Sequence, residues 1–262
     1  AVAPHLARAL PADGIALTLQ NGLGNAEALA EHIGARRVLR GVTSVGATLL
    51  GPGRVRATGD GPTSLERGQP EHGGSDVAQL LTGAGIPAWV VDDFDAVAWR
   101  KLAVNCAINP VSALLGVTNG RLLERADALL AMGAAAAEAA AVAAAAGIRL
   151  GADPRALVLE VAYATDENRS SMLQDVERGV PTEIDAINGA VARRGVELGV
   201  PTPANDWLVR AVTERAAGRT GRKAVDLGRC PGGRCFRQGR REIDSQTGRR
   251  RRGLGEKPHR PQ

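Results

Sequence analysis

The pattern of apolar and polar residues changes character once along the chain, near residue 93. Before that point, short apolar runs alternate with glycine-containing turns, which predicts small α/β units with strands at 14–19, 38–50, 54–58, 63–66 and 88–91 and helices at 26–33 and 76–81. After it, longer patterns predict helices that approach Pro110 and then cover 111–115, 127–146, 153–164, 183–198 and a last stretch to about 217. Pro110 is expected to end or kink the first of these helices. The coarse prediction is a smaller α/β part followed by a helical part.

The first long helix carries a candidate for acid–base chemistry. The chain has three lysines against 30 arginines, and only Lys101 lies outside the arginine-rich end of the chain. A lysine can lose its proton when it is desolvated, whereas arginine stays charged. Asn105 and Asn109 follow at spacings that place all three side chains on one helical face. Either this face binds a small polar ligand, since unpaired polar groups are costly to bury, or Lys101 is a partly buried residue whose amine reaches solvent.

The charge is divided unevenly along the chain. Residues 219–262 carry 14 Lys/Arg against 4 Asp/Glu, which leaves 19 basic and 24 acidic residues in the mildly acidic body. We expect this basic tail to be disordered, because it offers no apolar period that would offset the entropy of ordering. A tail of this kind can contact nucleic acid, but it has no interleaved aromatics, and a solvated segment is the favoured interpretation.

The cysteine content and the hydropathy indicate in which cellular compartment the protein is expected. Of the three cysteines, Cys230 and Cys235 form a lone C-x4-C pair with no partner pair, which predicts free thiols and no metal site. We find no signal peptide and no apolar run near the ~20 residues of a membrane span. These features predict a cytoplasmic protein without a membrane partner.

A resemblance emerges from three blocks of sequence. They are Gln20-Asn-Gly-Leu-Gly24, the stretch 99–110 around Lys101, and Ser170-Ser-Met-Leu-Gln-Asp175 followed by 182–189. In this order and at these separations the chain resembles the ketopantoate reductase family of the 6-phosphogluconate-dehydrogenase-like superfamily, over about residues 1–217. The resemblance implies an α/β fold with a partial Rossmann-like NADP-binding domain at 1–92 and an all-α substrate and dimerisation domain at 93–218, ahead of the tail 219–262. It also implies a cytoplasmic NADPH-dependent reductase of a small 2-keto acid, 2-dehydropantoate, and a possible homodimer.

The same resemblance assigns roles to single residues. Lys101 corresponds to the proton donor for the reduced carbonyl. Substrate-contacting positions correspond to Asn21, Asn105, Asn109, Asn119 and Ser171. Cofactor-contacting positions correspond to Asn21, Ala47 and Glu183. These residue types suit the reduction of a 2-keto acid. The alkoxide that develops on the keto oxygen needs a proton donor and hydrogen-bond donors directed at that oxygen. Neutral amides and hydroxyls can bind the carboxylate of the substrate.

One family feature has no counterpart in the sequence. The glycine-rich G-x-G-x-x-G turn, whose amides hold the phosphates of the cofactor, does not occur. We therefore expect the chain to begin within the nucleotide domain, with its first strands and glycine-rich loop missing. Two alternatives stay open beside ketopantoate reduction: a related 2-keto acid reductase, and a truncated family member without activity.

Overall fold

A mixed sheet with flanking helices forms the first part of the molecule. The structure is a computed structural model of the chain and describes residues 2–69, 72–218 and 225–231. The helices of this part are α1 (Ala3–Ala9), α2 (Asn25–Ile33) and α3 (Gly74–Gly83). The strands are β1 (Ala16–Thr18), β2 (Val38–Gly51), β3 (Arg54–Leu65), β4 (Gly68–Gln69), β5 (His72–Gly73) and β6 (Ala88–Val90).

The four longer strands lie in the order β1-β2-β3-β6. Strand β1 is parallel to β2 and β3 is parallel to β6, while β2 and β3 form a long antiparallel hairpin. The sequence predicted two short strands at 54–58 and 63–66, and this was wrong. They are one strand, because β3 stays paired with β2 past the Gly-Asp-Gly-Pro segment through register shifts that absorb the irregularity.

Helices make up most of the second part. They are α4 (Phe94–Leu115), α5 (Asn119–Leu123), α6 (Ala126–Ala145), α7 (Pro154–Ala164), α8 (Ser171–Arg178), a π-helical turn (Asp185–Gly189), α9 (Ala190–Leu198) and α10 (Pro203–Ala216). Capping side chains fix several starts: Asp93 accepts a hydrogen bond from the amide of Ala96, and Asp153 accepts one from that of Arg155. The α/β fold class with a helical second part is confirmed.

Two helical predictions need refinement. The helix does not end at Pro110: α4 continues through this proline, which is buried inside it, and a side chain elsewhere in the fold pairs the carbonyl that the proline leaves open. The helix predicted at 183–198 is present from Ile184 to Leu198, but its first part is a π-helical turn that leads directly into α9. A π turn inserts an extra residue and often occurs at functional positions.

Helices α4 and α6 form the centre of the hydrophobic core. Six of the eight buried residues of α6 are alanines, so its backbone lies close to its neighbours. Among the described residues, α6 is also the one helix long and apolar enough to cross a membrane by length and composition, with a mean hydropathy of 1.7 over its best window. The sequence expectation concerned an unbroken apolar run, and Asp127 and Glu138 interrupt α6. Of that window, 44% is buried inside the protein.

A short piece of the basic tail is packed against this core. Residues Leu227–Arg229 form a 3-10 turn, and Leu227 and Cys230 are each only 1% exposed. For 225–231 the expectation of disorder was wrong, since these two apolar side chains find a place beside α6. The rest of the predicted tail, including Cys235, lies outside the described residues.

Candidate active site

The cleft between sheet and helical part is built at the carboxyl end of β1. The chain leaves β1 through the turn 20–24 and enters α2, and this turn forms one wall of the cleft. Helix α4 forms the opposite wall with Ala98, Lys101, Leu102 and Asn105. The carboxyl ends of parallel strands are the usual ligand-binding edge of α/β sheets, so Asn21, Lys101 and Asn105 lie where such a fold binds ligands.

Lys101 is held against the sheet. Its Nζ donates a hydrogen bond to the backbone oxygen of Thr43 on β2, at 2.6 Å. Burial lowers the pKa of the Lys101 amine, while the negative charge of Glu183 acts in the opposite direction. A desolvated ammonium gives up its proton more readily than one in water. Lys101 therefore lies desolvated in the cleft, and its predicted role as the proton donor stays a prediction.

Three polar side chains from distant parts of the chain meet beside it. The Nδ2 group of Asn21 donates to Oε2 of Glu183 at 2.9 Å. The Nδ2 group of Asn105 faces Oδ1 of Asn21 at 3.5 Å, at the long limit of a hydrogen bond. The structure thus brings together Asn21, Lys101, Asn105 and Glu183, as the resemblance implied.

Backbone contacts fix the position of the turn that carries Asn21. The amide of Leu23 donates to the carbonyl oxygen of Ala186 in the π-helical turn, at 3.0 Å. Gly22 has φ of +88°, and a Cβ at this position would lie 2.1 Å from the same carbonyl oxygen. Only glycine allows both the positive φ and this close approach. The turn is therefore seated on the segment that also supplies Glu183.

The other predicted site residues lie further from Lys101. Asn109 is buried one helical turn beyond Asn105, and its backbone oxygen accepts from Ser170 Oγ at 3.5 Å. Asn119 is buried and donates through Nδ2 to Thr165 Oγ1 at 2.9 Å, while its Oδ1 has no partner. Ser171 is exposed at the start of α8. Among the hydrogen bonds of the described residues, none joins these three residues to Asn21, Lys101, Asn105 or Glu183.

Ala47 is exposed on β2, away from the four clustered residues. It can offer only its backbone to a ligand, in keeping with the backbone contact that the resemblance implied. Its predicted role in cofactor binding stays a prediction.

Reasoning from the sequence missed several residues of the site. Thr43 lies in a β-rich run without a distinguishing signal, yet its backbone oxygen holds Lys101, and its hydroxyl accepts from that of Thr63 at 2.9 Å. Ser170 caps α8, with its Oγ accepting from the amide of Leu173. Asn188 contacts the backbone of α4. Ser170 and Asn188 stand in the third block of the resemblance, which was the available signal.

Solved structures with the same architecture define the class of protein. A PanE/ApbA family ketopantoate reductase from Ralstonia eutropha JMP134 is 33% identical, with a TM-score of 0.76 over 83% of this chain and 72% of that one. D-mandelate dehydrogenase, solved as a ternary structure with NADH and anilino(oxo)acetate, is 27% identical, with a TM-score of 0.77 over 83% and 72%. Both are oxidoreductases by name, and the similarity of fold places this chain in the same structural class.

Sequence comparison then identifies the family. The model of the ketopantoate reductase PanE/ApbA family matches residues 1–70, and the model of its C-terminal part matches 93–216. The 2-dehydropantoate 2-reductase of Archaeoglobus fulgidus is 40% identical over 201 residues, which are 76% of this chain and 67% of that protein. The chain belongs to the ketopantoate reductase family. It spans between 62% and 72% of the length of the first three curated relatives it matches.

Proposed function

We propose that this protein reduces 2-dehydropantoate to pantoate with NADPH, a step that supplies pantothenate and coenzyme A synthesis. The observation that carries the proposal is the cleft in which the desolvated Lys101 lies beside the amides of Asn21 and Asn105. The names of the curated relatives support the substrate. The choice of NADPH over NADH, a cytoplasmic location and a homodimer rest on the resemblance alone.

The residues present fit the nicotinamide end of such a cofactor. Asn21 offers an amide and Glu183 a carboxylate, and groups of these two kinds can pair with a carboxamide. Gly22 keeps this wall of the cleft free of a side chain. When it is bound, the cofactor supplies the hydride that reduces the keto group. Asn21, Glu183 and the backbone of Ala47 would hold it from this chain.

Lys101 supplies the proton in this mechanism. A keto oxygen that becomes an alkoxide needs a proton and a positive charge nearby, and the Nζ ammonium provides both. The lowered pKa makes this transfer easier near neutral pH. The amide of Asn105, one turn along α4, is placed to stabilise the same oxygen or to orient the substrate.

The remaining donors suit the other polar groups of a keto acid. Asn119 keeps one buried amide oxygen without a protein partner, which can accept a hydrogen bond from a substrate hydroxyl. Ser171 presents its hydroxyl at the first turn of α8, where the partial positive charge of a helix start favours a carboxylate. Asn109 belongs to the same helical face as Lys101 and Asn105.

A second candidate substrate comes from the structural comparison. D-mandelate dehydrogenase has a similar fold, and its ternary structure holds anilino(oxo)acetate. Reduction of a bulkier 2-keto acid is therefore the alternative function that we propose. A family member without activity is the third possibility, and the same assay addresses all three.

The test is NADPH oxidation with 2-dehydropantoate and with 2-oxo-2-phenylacetate, for this chain and for the longest product of its gene. We expect turnover with 2-dehydropantoate, and Lys101→Ala should lower kcat by roughly 10²–10⁴-fold with an unchanged circular dichroism spectrum. Arg100→Ala is the matched control, because the neighbouring Arg100 donates instead to the backbone oxygen of Leu150, at 3.3 Å. Oxidation with neither keto acid would refute the proposal, and a fully active Lys101→Ala variant would refute the role of the lysine.

A further inference from the structure

Pro110 creates a gap in the hydrogen bonding of the helix that carries the site. A proline has no amide hydrogen, so the carbonyl oxygen four residues earlier, that of Cys106, receives no helical hydrogen bond from it. Both residues are buried in α4. A buried carbonyl without a partner is costly, and a proline within a helix tends to bend it. A hydrogen-bond donor from outside the helix is therefore needed to satisfy the Cys106 carbonyl oxygen where α4 continues past Pro110.

Asn188 fills the gap from a distant part of the chain. Its Nδ2 donates to the carbonyl oxygen of Cys106 at 2.9 Å, and the side chain is fully buried. This bond stands in for the amide that Pro110 lacks. It joins α4 to the π-helical turn, which lies 82 positions further along the chain.

The amide of Asn188 is itself held in place. It also donates to Oδ1 of Asn205, at 2.9 Å, and Asn205 Nδ2 donates in turn to the backbone of Ala135 and to Oε2 of Glu138, at 3.1 and 2.8 Å. Glu138 also accepts from the amides that begin α10. The donor aimed at Cys106 is therefore fixed by a buried network that spans α6 and α10.

The location of the bond gives it a consequence for the active site. Cys106 follows Asn105 directly and precedes Asn109 by three residues, so the gap lies between these two predicted substrate contacts. The same π-helical turn receives the amide of Leu23 at the carbonyl of Ala186. One segment therefore touches both walls of the cleft, the turn of Asn21 and the helix of Lys101.

We propose that Asn188 is a positioning residue of the active site, which replaces the hydrogen bond lost at Pro110 and so fixes Lys101 and Asn105 relative to Asn109 and the Asn21 turn. It acts through the backbone of α4 and touches neither substrate nor cofactor. Its catalytic consequence rests on the proposed function, whereas its effect on the geometry of α4 does not.

The test replaces the donor and then restores one. Asn188→Leu keeps the branched shape of the side chain but removes the donor, and Pro110→Ala returns an amide hydrogen to the helix opposite Cys106. Lysine labelled with ¹³C at Cε gives one signal for each of the three lysines, and the titration midpoint of the Lys101 signal reports on its surroundings without any turnover. The thermal midpoint and kcat/KM for 2-dehydropantoate complete the measurements.

We expect Asn188→Leu to lower kcat/KM by roughly tenfold to a hundredfold and to move the Lys101 midpoint up, towards its ordinary value. Adding Pro110→Ala should reverse most of both changes. Ser112→Ala is the matched control: it removes another buried hydrogen bond of α4, from Ser112 Oγ to the backbone oxygen of Val117 at 2.7 Å. Ser112→Ala should lower the thermal midpoint and leave the titration midpoint of Lys101 unchanged. Adding Pro110→Ala to it should not restore the thermal midpoint.

Each outcome decides the proposal. An unchanged Lys101 titration midpoint in a folded Asn188→Leu protein overturns it. The proposal is also overturned if the effects of Asn188→Leu and Pro110→Ala on the midpoint and on kcat/KM simply add in the double variant. If Asn188→Leu does not fold, a double variant that folds supports the proposal, and one that also fails overturns it. If the wild-type protein does not reduce 2-dehydropantoate, the proposed function fails, and the titrations and thermal midpoints still decide the role of Asn188.

Discussion

Gly22→Ala tests how the two walls of the cleft are joined. The new Cβ would lie 2.1 Å from the carbonyl oxygen of Ala186, whereas real Cβ contacts essentially never fall under 3.0 Å. The obstacle is backbone, which cannot rotate away as a side chain can. The turn that carries Asn21 must therefore withdraw from the π-helical turn, and the Leu23 to Ala186 hydrogen bond should be lost with it.

The magnitude follows from two contributions. Alanine at φ of +88° costs roughly 1–2 kcal/mol. Loss of one backbone hydrogen bond adds roughly 0.5–1.5 kcal/mol. The free energy of unfolding should therefore fall by roughly 1.5–3.5 kcal/mol. The rate of keto acid reduction should fall as well, because Asn21 moves away from Glu183.

Gly24→Ala provides the matched control. Gly24 belongs to the same turn and has φ of +87°, but a Cβ there would meet nothing within 4 Å. This variant should show only the backbone contribution of roughly 1–2 kcal/mol. Urea unfolding of both variants, followed by circular dichroism, measures the difference. Equal destabilisation by the two substitutions would show that the contact with Ala186 does not hold the turn.

Two further predictions concern the charge of Lys101. Its pKa in the folded protein lies below the ordinary 10.5, so the folded state binds this proton more weakly than the unfolded chain does, and the cost of burying the ammonium fades as pH rises towards 10.5. The stability of Lys101→Met relative to wild type, from urea unfolding at several pH values, should therefore fall from neutral to alkaline pH, and a constant difference would contradict this. Glu183→Gln keeps an acceptor for Asn21 but removes the charge that raises the pKa of Lys101, so the NMR titration midpoint of Lys101 should move down, and an upward shift would contradict the assignment.

Local patterns were sufficient for most of the elements. The sequence predicted helices from near residue 93 and from 153, and the structure has helices there that Asp93 and Asp153 cap. The face formed by Lys101 and Asn105 was visible from spacing alone, because helical geometry fixes which residues share a side. Such features depend on neighbours in the chain, and the sequence displays them directly.

The features that were missed depend on partners far away in the chain. Pro110 predicts a helix end by local rules, and α4 continues because Asn188 supplies the missing donor from 82 positions away from Cys106. The pairing of Asn21 with Glu183 spans 162 positions, and only the family resemblance had assigned both residues to one cofactor site. Leu227 was assigned to a disordered tail because that segment has no apolar period, yet it packs against a core that local composition cannot reveal.

The alanines of α6 set the direction in which this core can change. A side chain that is already a single methyl group has almost nothing left to lose, so truncation, the usual route by which cores are damaged, hardly applies at Ala131, Ala135 or Ala139, which are all buried. Enlargement is the danger instead, since extra methylene groups in a tightly packed interior force the neighbouring backbones apart. Random drift at these positions should therefore be filtered by size more than by polarity, with glycine and serine recurring among tolerated variants and leucine or phenylalanine rarely surviving.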